Sequence, residues 1–166
     1  MIAVAFKYHV LVVANRTAGS PELMEALNAR AQSDAVSFTL LVPARSVGPQ
    51  GREAANQTMA AAVERLRQAG LEVEGVVGQA DPIDAVFEIW DPKRFDEVMV
   101  STLPGAASKW LEIDLPHRIA RHTGVTVRHV LAQERRQAEA EPVPSRERPG
   151  VLAPLNVLTW GGGRAR

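Results

Sequence analysis

Residues 9–14 (HVLVVA) form a short, unbroken apolar run rich in valine, the pattern of a strand buried on both faces. Residues 15–20 (NRTAGS) read as a polar turn. From 21 to 31, Leu23, Leu27 and Ala31 recur at four-residue steps, the spacing of one side of a helix. Ser20 before Pro21 places a capping hydroxyl ahead of a proline at the first helical position. Residues 36–42 (VSFTLLV), closed by Pro43, predict a second strand. Between 52 and 69, Ala55, Met59, Ala62, Val63 and Leu66 keep helical spacing, while Glu64, Arg65, Arg67 and Gln68 are left to face water. Gly70 then ends the helix as a C-cap does.

Residues 71–77 (LEVEGVV) begin by alternating apolar and charged positions, as a strand near a sheet edge does. After a turn at 78–80, Asp81 and Pro82 open a helix carrying Ile83, Val86, Phe87 and Trp90. A fourth strand is predicted over 97–100, ending at Ser101, followed by a loop over 102–107, a single helix over 108–122 and a fifth strand over 125–131. Strands alternating with helices through short turns predict an α/β fold: a three-layer, Rossmann-like sandwich on a five-stranded, mostly parallel sheet. Residues 133–149 (QERRQAEAEPVPSRERP) break the pattern with balanced charge, three prolines and almost no bulky apolar side chain. The expected organisation is an α/β domain over 1–132, a charged, proline-containing linker over 133–150 and an apolar C-terminal segment over 151–166. That segment (VLAPLNVLTW, then GGGRAR) needs a surface, either its own domain or a second copy of the chain.

Composition removes several function classes. No apolar run reaches the roughly 20 residues of a membrane span, and the first seven residues (MIAVAFK) carry their only cation after the apolar positions, the reverse of a leader peptide. The expectation is a cytoplasmic protein with no membrane partner. Without cysteine there is no disulfide framework, thiolate metal site or cysteine nucleophile. Nineteen basic residues balance nineteen acidic ones, so no global field gathers a phosphate backbone and no nucleic-acid partner is expected. The excess of Arg over Lys, sixteen to three, comes with many Ala and points to a GC-rich genome rather than to an arginine-based recognition surface.

In open parallel sheets, ligands sit beyond the carboxyl ends of the strands, where the strand order reverses. The candidates there are Asn15, Arg16 and Thr17 after the first strand, residues 42–44 after the second, 78–81 after the third and 101–108 after the fourth. The last group is the richest: Ser101, Thr102, Gly105, Ser108 and Lys109 lead into a helix whose free amides suit an anion. Ser108 as a plain helix cap and Gly105 as a plain turn residue are the competing reading.

Asn15-Arg16-Thr17, residues 78–85 (GQADPIDA), 96–101 (DEVMVS) and 118–130 (RIARHTGVTVRHV), in that order across 9–131, resemble the universal stress protein family. The resemblance implies an adenine nucleotide alpha hydrolase-like fold, with ATP or another adenine nucleotide as the ligand. It also implies a stress-response role exercised by association or ligand binding rather than catalysis, and a homodimer formed through the fifth strand, helped by the C-terminal segment. The implied binding residues are Asn15, Thr17, Val42, Ser101, Thr102, Gly105, Ser108 and Asp114.

Two departures bear on that site. Nucleotide-binding members carry GxxG, nine residues, then Gly followed by Ser or Thr; here 101–105 reads STLPG, and Ile113-Asp114 takes the Gly-Ser place. Ile113 adds bulk where close backbone approach is wanted, and Asp114 repels phosphate unless a metal intervenes. Asn15 also stands where the family has a carboxylate. Four readings stay open: a changed site of Ser101, Thr102, Lys109 and Asp114 for another small anion or a metal-bound nucleotide; an adenine-nucleotide-binding sensor or slow nucleotide hydrolase using the loop after the fourth strand, residues 101–108; an associating domain whose pocket is filled by Leu103, Trp110 and Ile113; and Asp114 as an ordinary N-cap.

The remaining features predict no catalytic residue and no metal. His9, His117, His122 and His129 form no HExxH pair, and no GxSxG elbow activates Ser20, Ser101 or Ser108. Arg118 and Arg121 have the spacing of a solvated helix face, and Trp90 and Trp110 are expected in helix-to-sheet contacts, with Trp160 anchoring the C-terminal segment.

Overall fold

A computed structural model of the chain describes residues 6–105 and 108–133. The predicted linker beyond its first residue and the apolar segment at 151–166, Trp160 included, lie outside the described residues.

Strands and helices alternate as β1 (Tyr8–Val13), α1 (Pro21–Ser33), β2 (Val36–Pro43), α2 (Pro49–Gln68), β3 (Val73–Gly78), α3 (Pro82–Ile89), β4 (Glu97–Thr102), α4 (Lys109–Glu112), α5 (Leu115–Thr123) and β5 (Val127–Leu131). The sheet order is β3-β2-β1-β4-β5, and every pairing is parallel rather than mostly so. Among these strands β3 is an edge, as its alternating sequence predicts, and β5 is the other. The chain steps outward from β1 to β3, then returns to the far side of β1 for β4, so the order reverses between β1 and β4.

Period-two alternation along the buried strands feeds two cores. Val10, Val12, Phe38, Leu40 and Met99 face Leu23 and Leu27 of α1 and Ala55, Val63 and Leu66 of α2. Leu11, Val13, Leu41, Val98 and Val100 face Ile83 and Val86 of α3 and Leu115 and Ile119 of α5. Leu23, Leu27, Leu115 and Ile119 are wholly buried, each worth roughly 1.5–3 kcal/mol relative to exposure. The result is the expected three-layer sandwich.

Several local expectations are met in detail. Ser20 Oγ accepts from the Leu23 amide at 3.2 Å, with Pro21 opening α1. Asp81 Oδ1 accepts from the Ile83 and Asp84 amides at 2.8 and 3.1 Å, capping α3. Other boundaries move. Helix α2 begins at Pro49 rather than at 52, with Gly48 at its N-cap and proline at the first helical position; in that first turn Gly51 packs its backbone against Ser46, and a Cβ there would lie 2.2 Å from the Ser46 carbonyl oxygen. The single helix expected over 108–122 is broken into α4 and α5 by Asp114, a left-handed residue with φ 51°. Asp114 holds the N-cap position of α5 but makes no side-chain cap bond; its carboxylate instead lies 3.6 Å from His117 Nδ1.

One buried charge ties three elements together. Arg30 of α1, 7% exposed, donates from Nε to Glu97 of β4 at 3.1 Å and from Nη1 to Asp34 at 2.7 Å, while its guanidinium covers the Tyr8 ring at 4.9 Å. Burial pushes the Arg30 pKa down, but hydrogen bonds and attraction from Glu97 and Asp34 outweigh it, so the net shift is upward and the cation is held. Arg128 of β5 reaches the other Glu97 oxygen at 3.5 Å. Among the described residues no helix is long and apolar enough to cross a membrane.

Candidate functional site

The carboxyl ends of β1 and β4 meet at the point where the strand order reverses, and a cleft of about 370 Å³ opens there. Its size falls in the range of small-ligand sites. Asn15, Arg16 and Thr17 line it from the turn after β1, Arg45 from the loop after β2, Thr102 and Leu103 from the end of β4, and Ser108, Lys109 and Trp110 from the start of α4.

The turn after β1 is wound tightly: the Ala18 amide donates to the Asn15 carbonyl at 3.0 Å and the Ser20 amide to the Thr17 carbonyl at 2.9 Å. Thr17, 4% exposed, donates from Oγ1 to the Ser101 carbonyl at 3.0 Å, which fastens this turn to the end of β4. Asn15 Oδ1 is buried and accepts no hydrogen bond, an acceptor left without a donor at the cleft wall. The Arg45 amide donates to the Gly51 carbonyl at 3.3 Å, so the close approach of Gly51 to Ser46 sets the loop that carries Arg45. On the opposite wall, Thr102 Oγ1 lies 2.7 Å from His129 Nε2. Burial lowers the His129 pKa.

The site is therefore cationic. Arg16, Arg45 and Lys109 line the cleft, and among the described residues neither Asp nor Glu does. Arg45 and Lys109 form no ion pair among the described residues. Trp110, half-buried against the α3–α5 core, adds an aromatic wall beside them. Such a set attracts a compact anion carrying an apolar or aromatic part.

Of the residues that sequence reasoning placed in the site, Asn15, Thr17, Thr102 and Ser108 line the cleft. Val42 is wholly buried in the core beneath α1 and α2. Ser101 is 1% exposed, and its Oγ has no hydrogen-bond partner. Gly105 is a left-handed turn residue with open space around it, so no close backbone approach is demanded there. Asp114 lies outside the lining, its side chain 68% exposed. Ile113, 37% exposed, does not fill the cleft, which removes one of the three plugs expected for a closed pocket. Ser108 is buried in an extended conformation and makes no side-chain cap bond; with only four residues behind it, α4 offers little dipole.

Arg45 escaped the sequence reading, whereas Trp110 is expected either in a helix-to-sheet contact or as a plug of the pocket. Arg45 lies one position beyond the stretch after the second strand, and Trp110 both packs against the core and lines the cleft. The four histidines stay apart: His9 Nδ1 bonds Ser37 at 2.6 Å, His129 meets Thr102, His117 meets Asp114, and His122 stacks on Phe87 at 3.6 Å between ring centroids. Among the described residues no group of His, Asp or Glu is arranged to hold a metal.

No family model matches the sequence, and no curated protein matches it. Solved structures do match the fold. A universal stress protein from Archaeoglobus fulgidus in complex with dAMP superposes with a TM-score of 0.53 at 12% identity, over 76% of this chain and 99% of that one. A universal stress protein in complex with cAMP gives 0.51 at 21% identity, over 76% and 98%. A universal stress protein family protein from Arabidopsis thaliana with AMP bound gives 0.51 at 15%, over 75% and 92%. The fold is thus the Rossmann-like α/β sandwich of the universal stress proteins, as the order of elements implies.

Proposed function

We propose that this chain is a member of the universal stress protein family that binds an adenine nucleotide in the β1–β4 cleft and works in the cytoplasm by ligand binding and self-association, not by catalysis. The observation that supports this most is the placement of Arg45, Lys109, Thr102 and Trp110 around one cleft at the strand-order reversal. The fit is one of donors rather than of a glycine cradle. Cationic side chains take the phosphates, Trp110 offers a face to the base, and the unpartnered Asn15 Oδ1 offers an acceptor to an N–H donor. That similar structures hold dAMP, cAMP and AMP supports the ligand class.

Thermal shift against ATP, ADP, AMP and cyclic AMP tests the reading, since a ligand that binds only the folded state raises Tm by mass action. A rise with any of them is expected. No rise, in protein free of co-purified nucleotide, would leave an association-only domain.

Self-association is proposed through β5. Among the described residues β5 pairs only with β4, and Leu131 at its end is 53% exposed, so a strand edge and an apolar side chain are both on offer. Sedimentation is expected to show a dimer that Leu131→Lys weakens.

A further inference from the structure

We propose that the cleft takes its nucleotide as the metal-free anion, with Arg45 and Lys109 doing the charge neutralisation that a magnesium ion would otherwise do. This rests on the nucleotide reading above and adds which ionic form of the ligand is recognised.

Magnesium at nucleotide sites is held by phosphate oxygens together with one or two protein carboxylates. Among the described residues no carboxylate lines this cleft. Ala106 and Ala107, outside the described residues, have no carboxylate in their side chains. Asp114 is the acid that the sequence pattern puts nearest the phosphates. The left-handed break at that residue leaves it exposed, outside the lining, with its carboxylate beside His117.

The cationic side is equally specific. Arg45 and Lys109 approach from different elements, the loop after β2 and the start of α4, and neither is spent on an ion pair among the described residues. A magnesium ion brought in among them meets like charge on both sides and cancels two of the ligand charges that attract them. Metal therefore competes with the cleft for the polyphosphate instead of bridging the two.

Isothermal titration of the full chain with ATP, in EDTA and in excess magnesium, tests this, with AMP as the internal control because its single phosphate holds magnesium weakly. ATP is expected to bind at least about fivefold more tightly in EDTA, with AMP unchanged by the metal. Arg45→Ala and Lys109→Ala, checked for an unaltered Tm, are each expected to weaken ATP binding in EDTA about five- to tenfold while leaving adenosine binding nearly unchanged. ATP affinity equal or greater in magnesium would overturn the inference and leave the nucleotide reading intact. Absence of binding by AMP and ATP in both conditions would overturn the two together.

Discussion

Thr102 Oγ1 lies 2.7 Å from His129 Nε2, which ties a hydroxyl on the cleft wall to an imidazole on the edge strand β5. The same bond spans the proposed ligand site and the proposed association edge. Partial burial pushes the His129 pKa below its ordinary 6.5, so in the window just below that value the unfolded chain binds more protons than the folded one. His129 therefore costs the fold nothing above pH 6.5, and stability is lost as the pH falls from there through the lowered folded value. Wild type is expected to lose more Tm than His129→Gln between about pH 7.5 and 5, read by circular dichroism melts. Equal losses would mean the imidazole is as well solvated folded as unfolded.

Arg30 and Glu97 form the second test. Removing the carboxylate strands a guanidinium whose side chain is only 8% exposed, with Asp34 as its remaining ion-pair partner. Glu97→Leu is expected to cost about 3 kcal/mol, whereas the double variant Arg30→Met with Glu97→Leu recovers most of that loss. Urea unfolding of the three proteins gives the answer. A double variant no better than Glu97→Leu would assign the loss to packing rather than to an unpaired charge.

The sheet was legible because its strands announce themselves. Val10 to Val13 and Leu40 to Val42 are buried on both faces and read as unbroken apolar runs, and the charged start of β3 marks it as an edge. The cleft was only half legible. Backbone position at a strand end is readable, and Asn15, Thr17 and Thr102 do line the cleft; side-chain direction is not, and Val42 and Ser101 are buried outside its lining. Asp114 lies outside the lining for another reason. A left-handed aspartate inside a helical pattern leaves no periodic trace, and the break at that point decides whether its carboxylate faces the ligand or the solvent.

Gly51 controls the loop that presents Arg45. Its amide-to-carbonyl neighbourhood holds the Ser46 backbone so near that an added methyl has no room, and the Arg45 amide hangs on its carbonyl. Gly51→Ala is expected to cost roughly 1–3 kcal/mol as overpacking and to weaken nucleotide binding alongside. Chemical denaturation and the ATP titration should move together. A destabilised variant with unchanged affinity would show that Arg45 is positioned without this contact.

Asp114 separates fold from function most cleanly. Its left-handed φ of 51° carries a steric cost that glycine escapes, on the order of 1–2 kcal/mol. Glycine in turn gives up roughly 0.5–1 kcal/mol to the greater freedom of the unfolded chain. Asp114→Gly is thus expected to be neutral or to gain up to about 1 kcal/mol, despite losing the exposed contact to His117. Because the carboxylate stands outside the cleft, ATP affinity in EDTA should not change. A rise in affinity would mean that Asp114 faces the phosphates after all and repels them. A fall that appeared only with magnesium present would make it a metal ligand, and the cleft would then need the ion that its cationic lining argues against.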